Sequence, residues 1–231
     1  VVNKSVKVLG PGPTHLTVDA NHRSRVFFVN PGLTVTIQGL RIVNGEVDTS
    51  GGGIYNDFSA VLAVEGSAFY ANSAPNGGGI FSMFGPLRVV NSTFYSNTAG
   101  SGGGVMISND DLAVINSTFS ANSAGNGANL RAAGEATVVL ANAVVEKPLN
   151  GDNCAYTYPF TDGGGNIEDG TSCGFTDPTS FSNMDPLIAP FQFMNNTWVL
   201  PLLPGSPAID SGLSINCPAT DQRGVVRPQG S

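Results

Sequence analysis

The sequence predicts an all-β chain wound as a right-handed, single-stranded parallel β-helix, with about 25 residues per coil and three short strands in each. Three observations predict it. The stretch GSAFYANSAPNGGGI (66–80) returns as NSTFYSNTAGSGGGV (91–105) and again as NSTFSANSAGNGANL (116–130). Apolar residues inside the unit alternate at i and i+2, as in Leu112 and Val114 or Val105 and Ile107, which is strand spacing rather than helix spacing. Charged residues are only 12% of the 231 residues, while Gly reaches 30 and Ser, Thr and Asn abound; turns and strands suit that mixture better than helices do. Side chains that return after a fixed number of residues must return to one place on a closed coil. Coils then stack at the inter-strand spacing of about 4.8 Å and pair in parallel, and crossovers between parallel strands are right-handed.

Taken in chain order, the first apolar columns are Val35, Ile37, Leu40 and Ile42, in a less regular turn. Ile54 follows Gly51-Gly52-Gly53 and joins a column with Ile80, Val105 and Leu130. From Val61 to Val145 the unit aligns without a gap, giving the columns Leu62, Leu87, Leu112, Thr137, then Val64, Val89, Val114, Val139, then Phe69, Phe94, Phe119, Val144. Asn72, Asn97 and Asn122 recur at one bend, where stacked amides can satisfy each other from coil to coil. The glycine triplets at 77–79 and 102–104 mark tight backbone approach or positive φ, and Ala74, Ala99 and Ala124 mark a crowded corner. The shaft is expected over residues 1–150, and a loop-rich cap, packed on the last coils, over 151–231.

The repeat unit resembles the repeats of polymorphic outer-membrane proteins and related bacterial β-helix surface proteins. The tail phrases NMDPLIAPF (183–191), LPGSPAIDSG (203–212) and CPATDQRGVVRPQG (217–230), with GGGNIEDGTSCGF (163–175), resemble the C-terminal part of secreted bacterial choice-of-anchor Q domain proteins. The resemblance covers nearly the whole chain. It implies a secreted or surface-exposed right-handed β-helix and no settled activity. The family pattern continues past the Arg-Pro-Gln segment to a further cysteine, absent after Ser231 here, which leaves the pairing of Cys217 open.

After Glu146 the period fades. Cys154 and Cys173 lie where a disulfide would tie down a loop-rich segment, and their spacing is not that of a Cys-x-x-Cys redox motif. Three cysteines imply one bridge with a thiol left over, or a partner beyond Ser231. Leu187, Ile188, Phe191, Phe193, Trp198, Leu200, Leu202 and Leu203 are expected to cover the open solenoid end. Asp210, Asp221, Arg223 and Arg227 are expected to form a charge network in that cover, with Asp221 capping a turn and Arg223 paired with Asp210.

Function would reside on outward positions. Tyr70 and Tyr95 share one column, and Tyr55, Phe81 and Met106 another; such stacked rings either bind sugar faces or simply pack between coils. Asp110, Asp111 and Glu135 form the best acidic group, with Asp110 and Glu135 placed in one column and Arg131 nearby. Catalysis on an acidic polysaccharide would need such carboxylates to converge with a cation; on a turn they are expected to be solvated. His15 and His22, the two histidines of the chain, stand seven apart, too far for a helical pair, and are expected to be exposed; no phosphate-binding glycine motif precedes a Lys-Ser/Thr pair, and Thr34 and Thr36 do not extend into a rank. Sequons stand at Asn3, Asn91, Asn116 and Asn195.

The net charge of −7 and a pI near 4.6 argue against a nucleic-acid partner, which needs a basic face. No apolar run spans a bilayer. A chain opening on Val1 reads as a processed or excised piece. The expectation is a secreted or cell-surface structural or adhesive protein without catalytic activity, cofactor or metal, able to self-associate or to contact a surface polysaccharide. A polysaccharide-binding or lyase-like β-helix is the alternative.

Overall fold

Alternating Val, Ile, Leu and Phe residues send one side chain of each pair into a coil and the next out of it. In the computed structural model, which describes residues 1–11, 16–195, 197–214 and 217–227, that alternation closes into stacked coils. His15 and Pro228 to Gly230 lie outside the described residues. Among the described residues the strands form three parallel sheets. The first contains Val6–Leu9, Thr34–Gln38, Val61–Glu65, Leu87–Val90, Asp111–Ile115, Thr137–Ala141 and Thr161–Asp162. The second contains Thr17–Asp19, Arg41–Val43, Ala68–Tyr70, Thr93–Tyr95, Thr118–Ser120, Val144–Glu146 and Ile167–Glu168. The third contains Phe27–Val29, Ile54–Asn56, Ile80–Met83, Val105–Ser108, Leu130–Ala133 and Cys154–Tyr156. The chain visits the sheets in that order on every circuit, so the fold is a right-handed parallel β-solenoid. A fourth short extended stretch lies between the second and third sheets, where Ser73–Asn76 pairs with Thr98–Ser101.

Like sits on like in the interior. Phe69, Phe94 and Phe119 are fully buried and stacked, with ring centroids 4.5 Å and 4.7 Å apart and planes within 7° and 3° of parallel. Ile54, Ile80, Val105 and Leu130 make a second column. The expected column ends are displaced by one residue, however. Ile107 and Ser108 pair with Ala132 and Ala133, but Asp111 pairs with Thr137, so one extra residue enters at the turn around Gly134, whose φ is +65°. The columns therefore end on Val138, Leu140 and Val145, not on Thr137, Val139 and Val144. A one-residue step swaps the faces of a strand: Val139 is 40% exposed while Val138 and Leu140 are buried.

The asparagines form a continuous side-chain ladder. Asn72 Nδ2 donates to Asn97 Oδ1 at 2.9 Å and Asn97 Nδ2 to Asn122 Oδ1 at 3.0 Å. The ladder then crosses to a neighbouring column, with Asn122 donating to Asn129 at 2.7 Å and Asn129 to Asn153 at 2.6 Å. Asn129 occupies the column of Gly79 and Gly104, since Gly79, Gly104 and Asn129 pass backbone bonds in sequence to the next coil. A Cβ on Gly104 would lie 3.0 Å from the Phe119 ring; one coil further on, Val145 replaces that ring and leaves room for an amide. The ladder ends on acids: Asn153 donates to Asp169 at 2.7 Å and to the buried Glu168 at 3.3 Å. Glu168 also accepts from Ser172 and Cys173.

Parallel pairing does not stop at residue 150. Cys154–Tyr156, Thr161–Asp162 and Ile167–Glu168 add one more circuit. Cys154 pairs with Leu130 in the inward column and is joined to the buried Cys173, so the disulfide stands where another apolar rung would. Phe181 bridges to Ile167, and the segment around it covers this end of the stack. Asp162 clamps the cover. Its carboxylate accepts from Gly164, Asn166 and Ser180 on one oxygen and from Thr176 and Asp177 on the other. Burial pushes its pKa up, but the hydrogen bonds from Asp177, Ser180, Asn166 and Gly164 outweigh that and hold it below the model-compound value of 3.8. A folded-state pKa below the unfolded one adds stability that is complete above the unfolded value and disappears as pH falls through the folded value. The melting temperature of wild type should therefore exceed that of Asp162→Asn near neutral pH, and the gap should close as the pH is taken below about 3.8. A gap that widens on acidification would refute the clamp.

Candidate functional site

The corner between the first and second sheets places a left-handed residue on five successive coils. In register these are Gly39, Gly66, Asn91, Asn116 and Asn142, with φ between +48° and +67°. Asn tolerates that conformation because its short amide bonds locally. Here the three amides instead hold the tail. Asn142 exchanges two hydrogen bonds with the Leu213 backbone, at 3.0 Å and 2.8 Å. Asn116 Nδ2 lies 3.4 Å from Cys217 Sγ. Asn91 Nδ2 donates to the Thr220 carbonyl at 2.9 Å, and its Oδ1 accepts from Arg227 at 2.9 Å. Two of the four sequons thus have their acceptor nitrogens engaged by the chain itself.

From Met184 on, the tail consequently lies along the flank of the shaft, and only the segment before it covers the last coils. Met184 bonds to Glu168 on the last circuit, Phe191 stacks on Tyr95 and Tyr70 at 4.7 Å and 5.5 Å, and Trp198 lies 4.4 Å from the Arg41 guanidinium. Gln192–Met194 and Thr197–Val199 form an antiparallel hairpin on this flank. Of the apolar residues expected to cover the end, Ile188 and Leu200 are buried, while Leu187, Phe193, Leu202 and Leu203 remain exposed. The charge network is local: the Arg223 guanidinium folds back on Asp221 at 2.5 Å, two residues away, and not on Asp210, which is exposed. Asp221 does cap its turn, accepting from the backbone N–H groups of Arg223 and Val225.

Where the asparagines give way to glycine, the tail and the shaft separate. A groove of about 770 Å³ opens there. Gly39 and Gly66 form its floor, Gln38, Glu65, Arg88 and Asn91 the shaft wall, and Asp221 to Gly224 the tail wall. Arg88 and Glu65 are 3.7 Å apart. Gln222 fixes the tail wall by accepting from Thr93 at 2.7 Å and donating to Thr197 and to the Trp198 carbonyl. This arrangement offers hydrogen-bonding groups of both kinds in an open polar cleft, with Asp221 already saturated by its own turn.

The aromatic columns singled out from sequence form, whereas the acidic group does not. Tyr70 and Tyr95 stack on each other at 6.0 Å beneath Phe191, so the tail already occupies their faces. Tyr55 stacks between Phe28 and Phe81 on the third sheet; Arg25 lies over Phe28 and Tyr55, and Phe81 is buried. Asp110 and Glu135 do not share a column, because the inserted residue shifts the register between them. Asp110 accepts from the Asp111 N–H, Asp111 accepts from Thr137, and the Glu135 N–H donates to Asn109. His22 is exposed and lies 2.9 Å from Glu46. Among the described residues no three His, Cys, Asp or Glu side chains group so as to hold a metal ion, and no helix is long and apolar enough to cross a membrane. Glu146, in the Tyr70 and Tyr95 column, is buried. Burial raises its pKa against hydrogen bonds from Ser120 and Lys147. Sequence reasoning missed two features: the groove and an exposed aromatic corner. The groove was signalled by the change from glycine at 10, 39 and 66 to asparagine at 91, 116 and 142 along one column. The corner is the Phe58 and Phe84 pair, 5.3 Å apart.

These features define the class of the protein: a parallel β-solenoid whose C-terminal segment is clasped laterally to its shaft. No family model, no curated protein and no solved structure matches the chain.

Proposed function

We propose that the chain is a secreted or cell-surface β-solenoid of the kind its repeat and tail phrases resemble, acting as a rigid structural or adhesive element without catalysis. The observation that carries this is the use made of its carboxylates. Asp162, Glu168 and Asp221 are each saturated by turn and loop donors, Asp110 serves its own turn, and Asp111 accepts from Thr137 on the next coil. A carboxylate so engaged holds the backbone and is not free to shuttle protons. The Cys154–Cys173 bridge supports a location outside the reducing cytoplasm. Head-to-tail stacking of copies is not part of the proposal, because the segment around Phe181 lies on the C-terminal end of the coils.

The test has two arms. Protein isolated without reductant from cells that make it should carry the Cys154–Cys173 bridge and be found in the medium or accessible to an impermeant label. Incubation with pectin, alginate or glycosaminoglycan should release no oligosaccharide. Reduced cysteines in a cytosolic fraction, or products that vanish in Asp110→Ala or Glu135→Ala, would overturn the proposal.

A further inference from the structure

We propose that the groove at the Gly39 and Gly66 rungs binds a strand of neutral polysaccharide. This rests on the adhesive reading and names its site and its ligand class. The sequence keeps the space open. The corner requires positive φ, and Asn meets that requirement on three successive coils at Asn91, Asn116 and Asn142. Conformation therefore does not demand glycine at position 66. Crowding does not demand it either, since a Cβ there would meet nothing within 4 Å. An asparagine would extend the row of amides that holds the tail. Glycine leaves the cleft.

The walls carry groups suited to hydroxyls. Gln38 and Glu65 stand in register on adjacent coils, with Arg88 and Asn91 on the next. These are planar groups that can bond to pairs of hydroxyls, and they repeat at the rung spacing of about 4.8 Å, close to the length of one pyranose unit. The pairing of charges in the groove selects a neutral ligand. The cations in the groove already have anionic neighbours, Arg88 beside Glu65 and Arg223 on Asp221. A carboxylated or sulfated chain must separate such a pair and face the remaining acid, whereas hydroxyls bridge Arg88 and Glu65 without displacing either. Among the described residues no aromatic ring lines the groove, so hydrogen bonds carry recognition and single-site affinity is low; an extended polymer gains by occupying the groove with many equivalent segments.

The experiment measures binding of the intact chain to immobilised neutral glucans and xylan, and to polygalacturonate and alginate, at low and raised salt. Neutral polymers should bind with little salt dependence. Gly66→Asn should weaken that binding by about tenfold or more while melting close to wild type, because Asn91, Asn116 and Asn142 hold the same left-handed conformation on the following coils. Arg88→Ala, a change at an exposed side chain, should weaken it as well and serves if Gly66→Asn does not fold. Failure of every polymer to bind would sink the adhesive reading itself. Binding of neutral polymer unchanged in both variants would leave that reading standing and remove the groove from it. Tighter binding of the acidic polymers would overturn the ligand class.

Discussion

Phe94→Ala is expected to lower stability by about 3–5 kcal/mol, the range for emptying a fully buried aromatic position. Phe94 lies between Phe69 and Phe119 with both faces covered, and Gly79 closes on its edge, so that a Cβ there would lie 3.0 Å from the ring. Neighbouring coils are tied by backbone ladders on either side and cannot move in to fill the void. Each coil contacts chiefly the next, and a solenoid weakened at one rung can lose cooperativity between its two halves. Calorimetry should show a lower and broader transition, with Phe94→Leu intermediate. A variant melting within a degree or so of wild type would mean that the ring column is not the core of the shaft.

Asn97→Ala is expected to cost about 2–4 kcal/mol through orphaned buried polar groups. Asn97 Oδ1 accepts both the backbone N–H and the side-chain amide of Asn72, at 3.1 Å and 2.9 Å, and its own Nδ2 donates to Asn122 and to the Phe69 carbonyl. Removing it strands the Asn72 N–H, which has no water to turn to because Asn72 is fully buried. The same bend is left-handed at Ala71, Ser96 and Ala121, a conformation that costs about 1–2 kcal/mol in residues other than Gly or Asn; the ladder offsets that strain on each coil. Asn97→Asp should be no better than Ala near neutral pH, because it keeps the acceptor but turns a buried charge toward the Phe69 and Asn122 oxygens. Hydrogen exchange at the Asn72 amide is the direct readout. Unchanged protection there in Asn97→Ala would show that the ladder is decorative.

The coil, its period and the inward identity of Phe69, Phe94, Phe119, Ile80, Val105 and Leu130 were legible in the sequence. In a parallel stack the nearest neighbour of a residue is its own counterpart one period on, so the pattern records the contact directly. The same logic exposed the ladder at Asn72, Asn97 and Asn122. It lost the ladder at Asn129, where an asparagine appears in a glycine column because Val145 has replaced a ring one coil beyond. It also lost the register at Gly134: the repeat aligns without a gap by residue type, while the backbone takes in one extra residue. That single step separated Asp110 from Glu135 and turned Val139 outward.

What the sequence by itself determined is therefore the shaft: its handed coil, its interior columns and the cysteine pair suited to closing one end. Only the tertiary structure decided where the non-repeating tail goes, and with it the site. Contacts such as Asn142 with Leu213, Asn91 with Arg227 and Tyr95 with Phe191 join residues far apart in a region with no period. No local pattern records them. The physical reason is that a repeat specifies its own partner by translation, whereas an aperiodic strap is positioned by whichever surface donors and ring faces the finished shaft presents. Here these are the left-handed asparagines and the tyrosine stack, and the groove opens where the asparagines end.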